Sequence, residues 1–264
     1  MVLNGSLHTT ELGESGSRVV FCHGLFGQGK NFTAIAKALA DEHRVTLVDM
    51  PDHGRSPRTE GFDYLRYADL VADLLSEDDP VALVGHSMGG KVAMLVALQH
   101  PGLVERLVVV DVAPVPYDHA AEFERYIAAM RGIDLSTLSS RSDADAALVD
   151  AVPSAMVRGF LLQSLRRDGD SWEWLLNLPL LARDLDLITD WPGDRLAGVP
   201  AYDGPVLWVG GQRSRYVRPD YAEAMDRWFP RNRRVTVKDA GHWVHSEQPE
   251  VFLEVLRRFL AQRD

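Results

Sequence analysis

The stretch that most constrains this chain is Val81-Ala82-Leu83-Val84-Gly85-His86-Ser87-Met88-Gly89-Gly90. Four apolar residues after Pro80 read as a buried strand. Lys91 to Gln99, apolar at Val92, Leu95, Val96 and Leu98, reads as a helix. Ser87 therefore stands where a strand turns sharply into a helix. Gly85-His86-Ser87-Met88-Gly89 fits G-x-S-x-G, the pattern of a nucleophile elbow. Such a turn is strained and draws strand and helix together, so a Cβ at either flank would clash. It lifts the serine hydroxyl above the sheet edge. It also aims the Met88 N–H, at the start of the helix, at any oxygen that becomes negative beside Ser87.

The same rhythm runs through most of the chain. The first 22 residues hold two or three strands, the last of them Arg18 to Cys22. Further strands are Arg44 to Asp49, Leu107 to Asp111, Val206 to Val209 and Arg233 to Lys238. Helices are predicted over Asn31 to Ala40, Tyr64 to Leu75 and Tyr221 to Trp228. The closing helix, Gln248 to Gln262, should turn Val251, Phe252, Val255, Leu256 and Phe259 inward. Strands apolar on both faces, alternating with helices, predict an α/β fold with a mostly parallel central sheet covered by helices on both sides.

The rhythm breaks between Ala113 and Asp203, where no strand of the same quality occurs. Helices are predicted there over Glu122 to Met130, Asp143 to Ala151, Ala155 to Leu165 and Leu178 to Leu187. The simplest organisation is a core from 1–113 and 204–264 carrying a helical cap insertion, 114–203, over the C-terminal edge of the sheet. At 264 residues and 46% hydrophobic content the chain can fill one large core.

Composition excludes several classes. Net charge is −10 with no basic run, which argues against nucleic acid. The single cysteine, Cys22, lies in an apolar strand, so no disulfide forms within the chain, as in a reducing compartment. The first residues lack a basic and apolar leader, and no apolar run reaches the length of a membrane span. The expectation is a cytoplasmic protein, monomeric or homodimeric, with no membrane partner. The histidines and lone cysteine show no metal-ligand spacing, and no G-x-G-x-x-G opens a helix after a strand, so neither a metal nor a cofactor is predicted.

A serine hydroxyl needs a base, and the base needs a group to orient it. All should lie on loops at the C-terminal ends of strands. His242 qualifies as base, since it follows the last strand in a loop opened by Gly241. His86 points away from Ser87, His23 braces its own glycine loop, and His245, three residues on, is placed at the entrance. For the acid there are two slots. Asp111 ends an all-apolar strand, where a charge is expensive unless partnered. Asp220 follows the Val206 strand but reads as a helix N-cap. Asp111 is the preferred choice, with Ser214 adding a hydroxyl to the His242–acid pair. The second oxyanion N–H falls to Leu25 in His23-Gly24-Leu25-Phe26-Gly27, opposite Met88. Phe26 and Trp243 are the candidate substrate-binding side chains.

HGLFGQGKNF, DMPDHGRSP, GHSMGGK, VVVDVAPVPY and KDAGHWVH, in that order, resemble the α/β-hydrolase superfamily, and within it the small bacterial carboxylesterases of the YbfF type. The resemblance covers nearly the whole chain. It implies an α/β-hydrolase fold, with Ser87 as nucleophile, His242 as base, Asp111 as acid and Ser214 as an accessory hydroxyl. It implies cleavage of a small-molecule ester or thioester of short acyl chain under a helical cap, through an acyl-enzyme. The cap is where this sequence departs most from the family. Two other readings stay open. One is a lyase or C–C hydrolase on the same triad, like the menaquinone-pathway SHCHC synthase, using Arg55, Lys91, Arg213 or Arg215 against an anionic substrate. The other is a ligand-binding homologue with slow turnover.

Overall fold

A computed structural model describes residues 6–118 and 120–262. Any strand or leader in residues 1–5 lies outside the described residues. The first half of the chain gives β1 (Thr9–Leu12), β2 (Ser17–Cys22), α1 (Thr33–Leu39), β3 (His43–Val48), α2 (Tyr64–Ala72), β4 (Val81–His86), α3 (Met88–Gln99) and β5 (Val104–Val110). Segment 114–203 holds α4 (Ala120–Arg131), α5 (Arg141–Leu148), α6 (Ala155–Leu162), β6 (Leu165–Asp168), β7 (Ser171–Trp174), α7 (Leu178–Arg183) and α8 (Leu185–Thr189). The chain closes with β8 (Val206–Gly211), α9 (Ala222–Trp228), β9 (Asn232–Val237), α10 (Val244–Glu247) and α11 (Pro249–Leu260).

Seven strands form one sheet in the order β1-β3-β2-β4-β5-β8-β9. All neighbours are parallel except β1, which runs antiparallel to β3 at the edge. Strand residues alternate between two cores. Leu83, Val109 and Trp208 face the α2–α3 side, while Val84, Val108 and Val209 face the α1–α11 side. That alternation is why the central strands read as unbroken apolar runs. α3 is buried from Met88 to Leu98, so its apolar residues are not confined to one stripe. α11 is amphipathic and buries Phe252, Leu256 and Phe259. Val251, expected inward, is 46% exposed because it sits beside that stripe and not in it.

The sheet reverses its winding between β2 and β4, since β3 lies to one side of β2 and β5 to the other side of β4. A crevice opens at the C-terminal ends of strands at such a reversal. The loops after β2 and β4 meet there. The approach is close enough to exclude side chains. A Cβ on Gly85 would lie 2.3 Å from the Gly89 carbonyl oxygen, and one on Gly89 would lie 2.4 Å from both the Cys22 and His23 carbonyl oxygens.

Segment 114–203 departs from the purely helical expectation. β6 and β7 pair as an antiparallel hairpin, joined through Gly169 at φ 59°. Its short strands, LRRD and SWEW, lack the continuous apolar run that marks a core strand. The helix expected over 178–187 is two, divided at Asp184, which has φ −105° and ψ 19°. Among the described residues no helix is long and apolar enough to cross a membrane.

Replacing Gly89 by Ala should cost about 1–3 kcal/mol, because the clash is with backbone that cannot swing aside. A urea midpoint equal to that of the wild type would contradict the close approach.

Candidate active site

Ser87 occupies the single-residue bend between β4 and α3. Its φ of 51° and ψ of −119° are unusual for a side-chain-bearing residue. The bend is pinned from both sides, as the Ser87 N–H donates to the Val110 carbonyl at 3.0 Å and the Lys91 N–H to the Ser87 carbonyl at 3.1 Å. Asp111, just past β5, also has a positive φ, 51°. Its N–H donates to the Val209 carbonyl at 3.0 Å.

The structure brings Ser87, His242 and Asp111 into one line. Ser87 Oγ lies 3.1 Å from His242 Nε2, and His242 Nδ1 lies 2.7 Å from Asp111 Oδ2. An ionised carboxylate only accepts, so Nδ1 carries the proton and Nε2 presents its lone pair to the serine hydroxyl. Asp111 is fully buried. A charge there needs compensation, and it receives three donors: His242, the Ser214 hydroxyl on Oδ2, and the Gly211 N–H on Oδ1 at 3.0 Å. Asp220 is elsewhere. It lies in the turn Pro219–Tyr221, ion-paired with Arg218 on the surface, and its side chain caps no helix.

Several groups that hold His242 were not foreseen. Tyr216 stacks on its ring, with centroids 4.1 Å apart and planes at 27°. Glu247 accepts from the Gly241 and Trp243 N–H groups at 2.9 and 3.2 Å, clamping the loop on both sides of the histidine. His86 donates from Nε2 to the His242 carbonyl at 2.9 Å. Burial, then the neighbouring His242 and His245 rings, hold His86 well below the ordinary histidine range, so it stays neutral and acts as a strut. Nothing in local sequence marks Tyr216 or Glu247, whose roles come from contacts made across loops.

The loop after β2 is built to present backbone. Gly27 N–H closes a turn on the Gly24 carbonyl at 3.0 Å, and Phe26 adopts φ 66°. His23 donates to the Gly24 carbonyl at 2.8 Å and accepts from the Met50 N–H at 2.9 Å. The Phe26 N–H donates to His53 Nε2 at 3.2 Å. Among the described residues no protein acceptor takes the Leu25 or Met88 N–H. Both residues border the space beside Ser87.

That space consists of two small apolar cavities. One, about 20 Å³, is walled by Phe26, Phe123, Val157, Phe160 and Trp243. The other, about 30 Å³, is walled by Tyr64, Lys91, Val112, Tyr117 and Tyr216. Larger clefts of about 290 and 450 Å³ lie away from Ser87. Of the four cations considered for an anionic substrate, Lys91 alone borders the Ser87 cavities. Burial pushes its amine down to about 7. It already donates to the Thr189 and Asp190 carbonyls at 2.7 and 2.5 Å, tying the end of α8 to α3. Arg213 pairs with Glu247, Arg215 is exposed, and Arg55 borders the 290 Å³ cleft. His245, expected at the entrance, is buried instead. It stacks on Phe32 at 4.4 Å because α10 turns it under the sheet edge.

Residues 17–249 match the family described as the alpha/beta hydrolase fold, and the chain belongs to it. Its relatives include esterases and lipases. It is 41% identical over 251 residues to the sn-1-specific diacylglycerol lipase ABHD11 of Mus musculus, covering 92% of this chain and 80% of the relative. It is 34% identical to the esterase YbfF of Escherichia coli (strain K12), covering 98% of this chain and 99% of the other. A solved structure titled marine microorganism esterase superposes with a TM-score of 0.91 at 31% identity, covering 98% of this chain and all of that one. The chain is therefore an α/β hydrolase of the esterase and lipase type.

The buried imidazoles give the fold an acid sensitivity. Burial, joined for His23 by His53 and for His245 by His242, holds both rings down at about 3. In the unfolded chain a histidine titrates near 6.5. As pH falls below that value the unfolded chain gains protons that the native chain refuses. Stability is thus full above about 6.5 and falls towards 3 by about 1.4 kcal/mol per pH unit for each ring. His245→Phe should remove one such contribution, read as a shallower dependence of unfolding free energy on pH between 4 and 6. An unchanged slope would mean that His245 titrates normally.

Proposed function

We propose that this chain is a serine carboxylesterase that hydrolyses esters of small or short-chain acids, thioesters included, through an acyl-enzyme. The hydrogen-bonded line from Asp111 through His242 to Ser87 carries this reading. His242 Nε2 takes the Ser87 proton as Oγ attacks the ester carbonyl. The carbonyl oxygen becomes an oxyanion between the Leu25 and Met88 N–H groups. Each such donor is worth on the order of 3 kcal/mol to the transition state. Asp111 holds Nδ1–H and stabilises the imidazolium without taking its proton. The ester C–O bond, or the C–S bond of a thioester, then breaks, and His242 returns the proton to the leaving alcohol or thiol. Water, deprotonated by His242, attacks the acyl-Ser87, and collapse releases the acid and restores the serine.

Segment 114–203 serves as the cap. Phe123 from α4, with Val157 and Phe160 from α6, roofs the serine. Phe26 and Trp243 complete the apolar wall that receives the acyl group. With only about 20 and 30 Å³ beside Ser87, short acyl groups fit with the least displacement of the roof. The mouse relative's name brings glycerol esters within the range of candidates.

Ser87→Ala should abolish hydrolysis of p-nitrophenyl acetate, and retained activity would overturn the nucleophile. Asp111→Asn should lower kcat about 10⁴-fold, whereas Asp220→Asn should leave it near that of the wild type. The reverse ranking would move the acid. Across a series of p-nitrophenyl esters and one acyl-CoA, kcat/KM should be highest for acetyl to butyryl chains. A maximum at long chains would contradict the size of the pocket.

A further inference from the structure

The 290 Å³ cleft is not absorbed by the ester site. Five cationic side chains border it: Lys30 and Arg55, from the loops after β2 and β3, and Arg141, Arg166 and Arg167, from segment 114–203. In a chain of net charge −10 such a gathering is not a product of composition. The carboxylate on the cleft floor, Asp49, is already engaged. The Gly29 N–H donates to it at 2.7 Å and the Arg55 N–H at 2.9 Å, and His8 Nδ1 stands 3.3 Å away. The cations repel one another across the cleft. Burial, then Arg141 and Arg55, lowers the Lys30 amine below the ordinary lysine range, with Asp49 opposing.

Four of the five cations are anchored in part. Lys30 donates to the Gln163 carbonyl at 2.9 Å, and Arg141 to the Leu162 and Leu165 carbonyls. Arg166 pairs with Glu173, and Arg167 donates to the Gly169 carbonyl at 3.1 Å. An ammonium has three donors and a guanidinium five, so anchoring leaves N–H groups over on each.

We propose that this cleft is a binding site for a phosphate-bearing anion, a phosphomonoester or inorganic phosphate, seated between Lys30 and Arg55 on one side and Arg141, Arg166 and Arg167 on the other. Guanidinium forks match phosphate oxygens in pairs, and a dianion neutralises more of the converging charge than a single carboxylate. The volume admits a phosphate on a small alcohol. The site also straddles a seam. Gln163, at the end of α6, is gripped by Gln28, Lys30 and Asn31 beside the cleft. α6 carries Val157 and Phe160 over Ser87, so an anion here fastens that roof to the sheet. The site stands independently of the proposed esterase chemistry.

The full chain is titrated with inorganic phosphate and with glycerol 3-phosphate by calorimetry and thermal unfolding, at fixed ionic strength in chloride. Flotation with phosphatidylcholine vesicles, with and without phosphatidic acid, runs beside it. Saturable binding with a raised Tm is expected. Arg55→Gln with Arg167→Gln should weaken it about tenfold or more. Arg131→Gln with Lys238→Gln, which removes two exposed cations elsewhere, should not. A wild-type circular dichroism spectrum and Tm without phosphate show that the first pair folds. Binding of the soluble phosphates identifies a free ligand. Binding of phosphatidic acid vesicles alone, lost in the same pair, identifies a lipid headgroup. Absence of binding to any phosphate, or equal binding by the Arg55/Arg167 variant, overturns the site.

Discussion

The buried carboxylate of Asp111 is the constraint on which the rest of the site depends. A lone charge at full burial would not survive in a sheet interior. It persists because two separate stretches bring three donors to it: Gly211 and Ser214 at and just beyond the end of β8, and His242 after β9. Satisfying the charge therefore fixes where the histidine stands, and the histidine's other nitrogen then falls 3.1 Å from Ser87 Oγ. The same hydrogen bond that satisfies the carboxylate orients the ring of the proposed base. Tyr216 and Glu247 act on the remaining freedom of His242, one through its ring and the other through its loop.

The second constraint is backbone proximity at the reversal of the sheet. Gly85 and Gly89 let α3 press against the ends of β2 and β4, which brings the Leu25 and Met88 amides to the same small space. Over that space α4 and α6 contribute an aromatic and aliphatic roof. Lys91 fastens α8 to α3 on one side, and Gln163 fastens the end of α6 to the loop after β2 on the other. The space beside Ser87 is thus bordered by side chains of segment 114–203 as well as by the loops of the sheet.

Much of this was legible before any coordinates. The apolar strands alternating with helices gave the parallel sheet, because strands buried on both faces leave unbroken Val and Leu runs. The reading was weakest where those runs stop. The hairpin of β6 and β7 has only four residues per strand, too few for the Ser171-Trp172-Glu173-Trp174 alternation to announce it. Asp184 divides a helix whose apolar pattern continues through the break. His245 looked like an entrance residue because it follows His242 closely, but a single turn of α10 rotates it beneath the edge. Val251 fell outside the α11 stripe by one position.

By itself the sequence determined the bend at Ser87, since only glycines tolerate the close approach around it. It also determined the candidates for base and acid, since a histidine after one strand and a carboxylate after another are local facts. Tertiary structure alone set the Asp111 carboxylate against the His242 ring and paired Asp220 with a surface arginine. It alone brought in Tyr216 and Glu247, and it alone gathered five cations from four distant stretches around one cleft. The physical reason is the same in each case. Chain-local sterics leave a mark in neighbouring residues, whereas the solvation of a charge depends on whatever the fold packs around it.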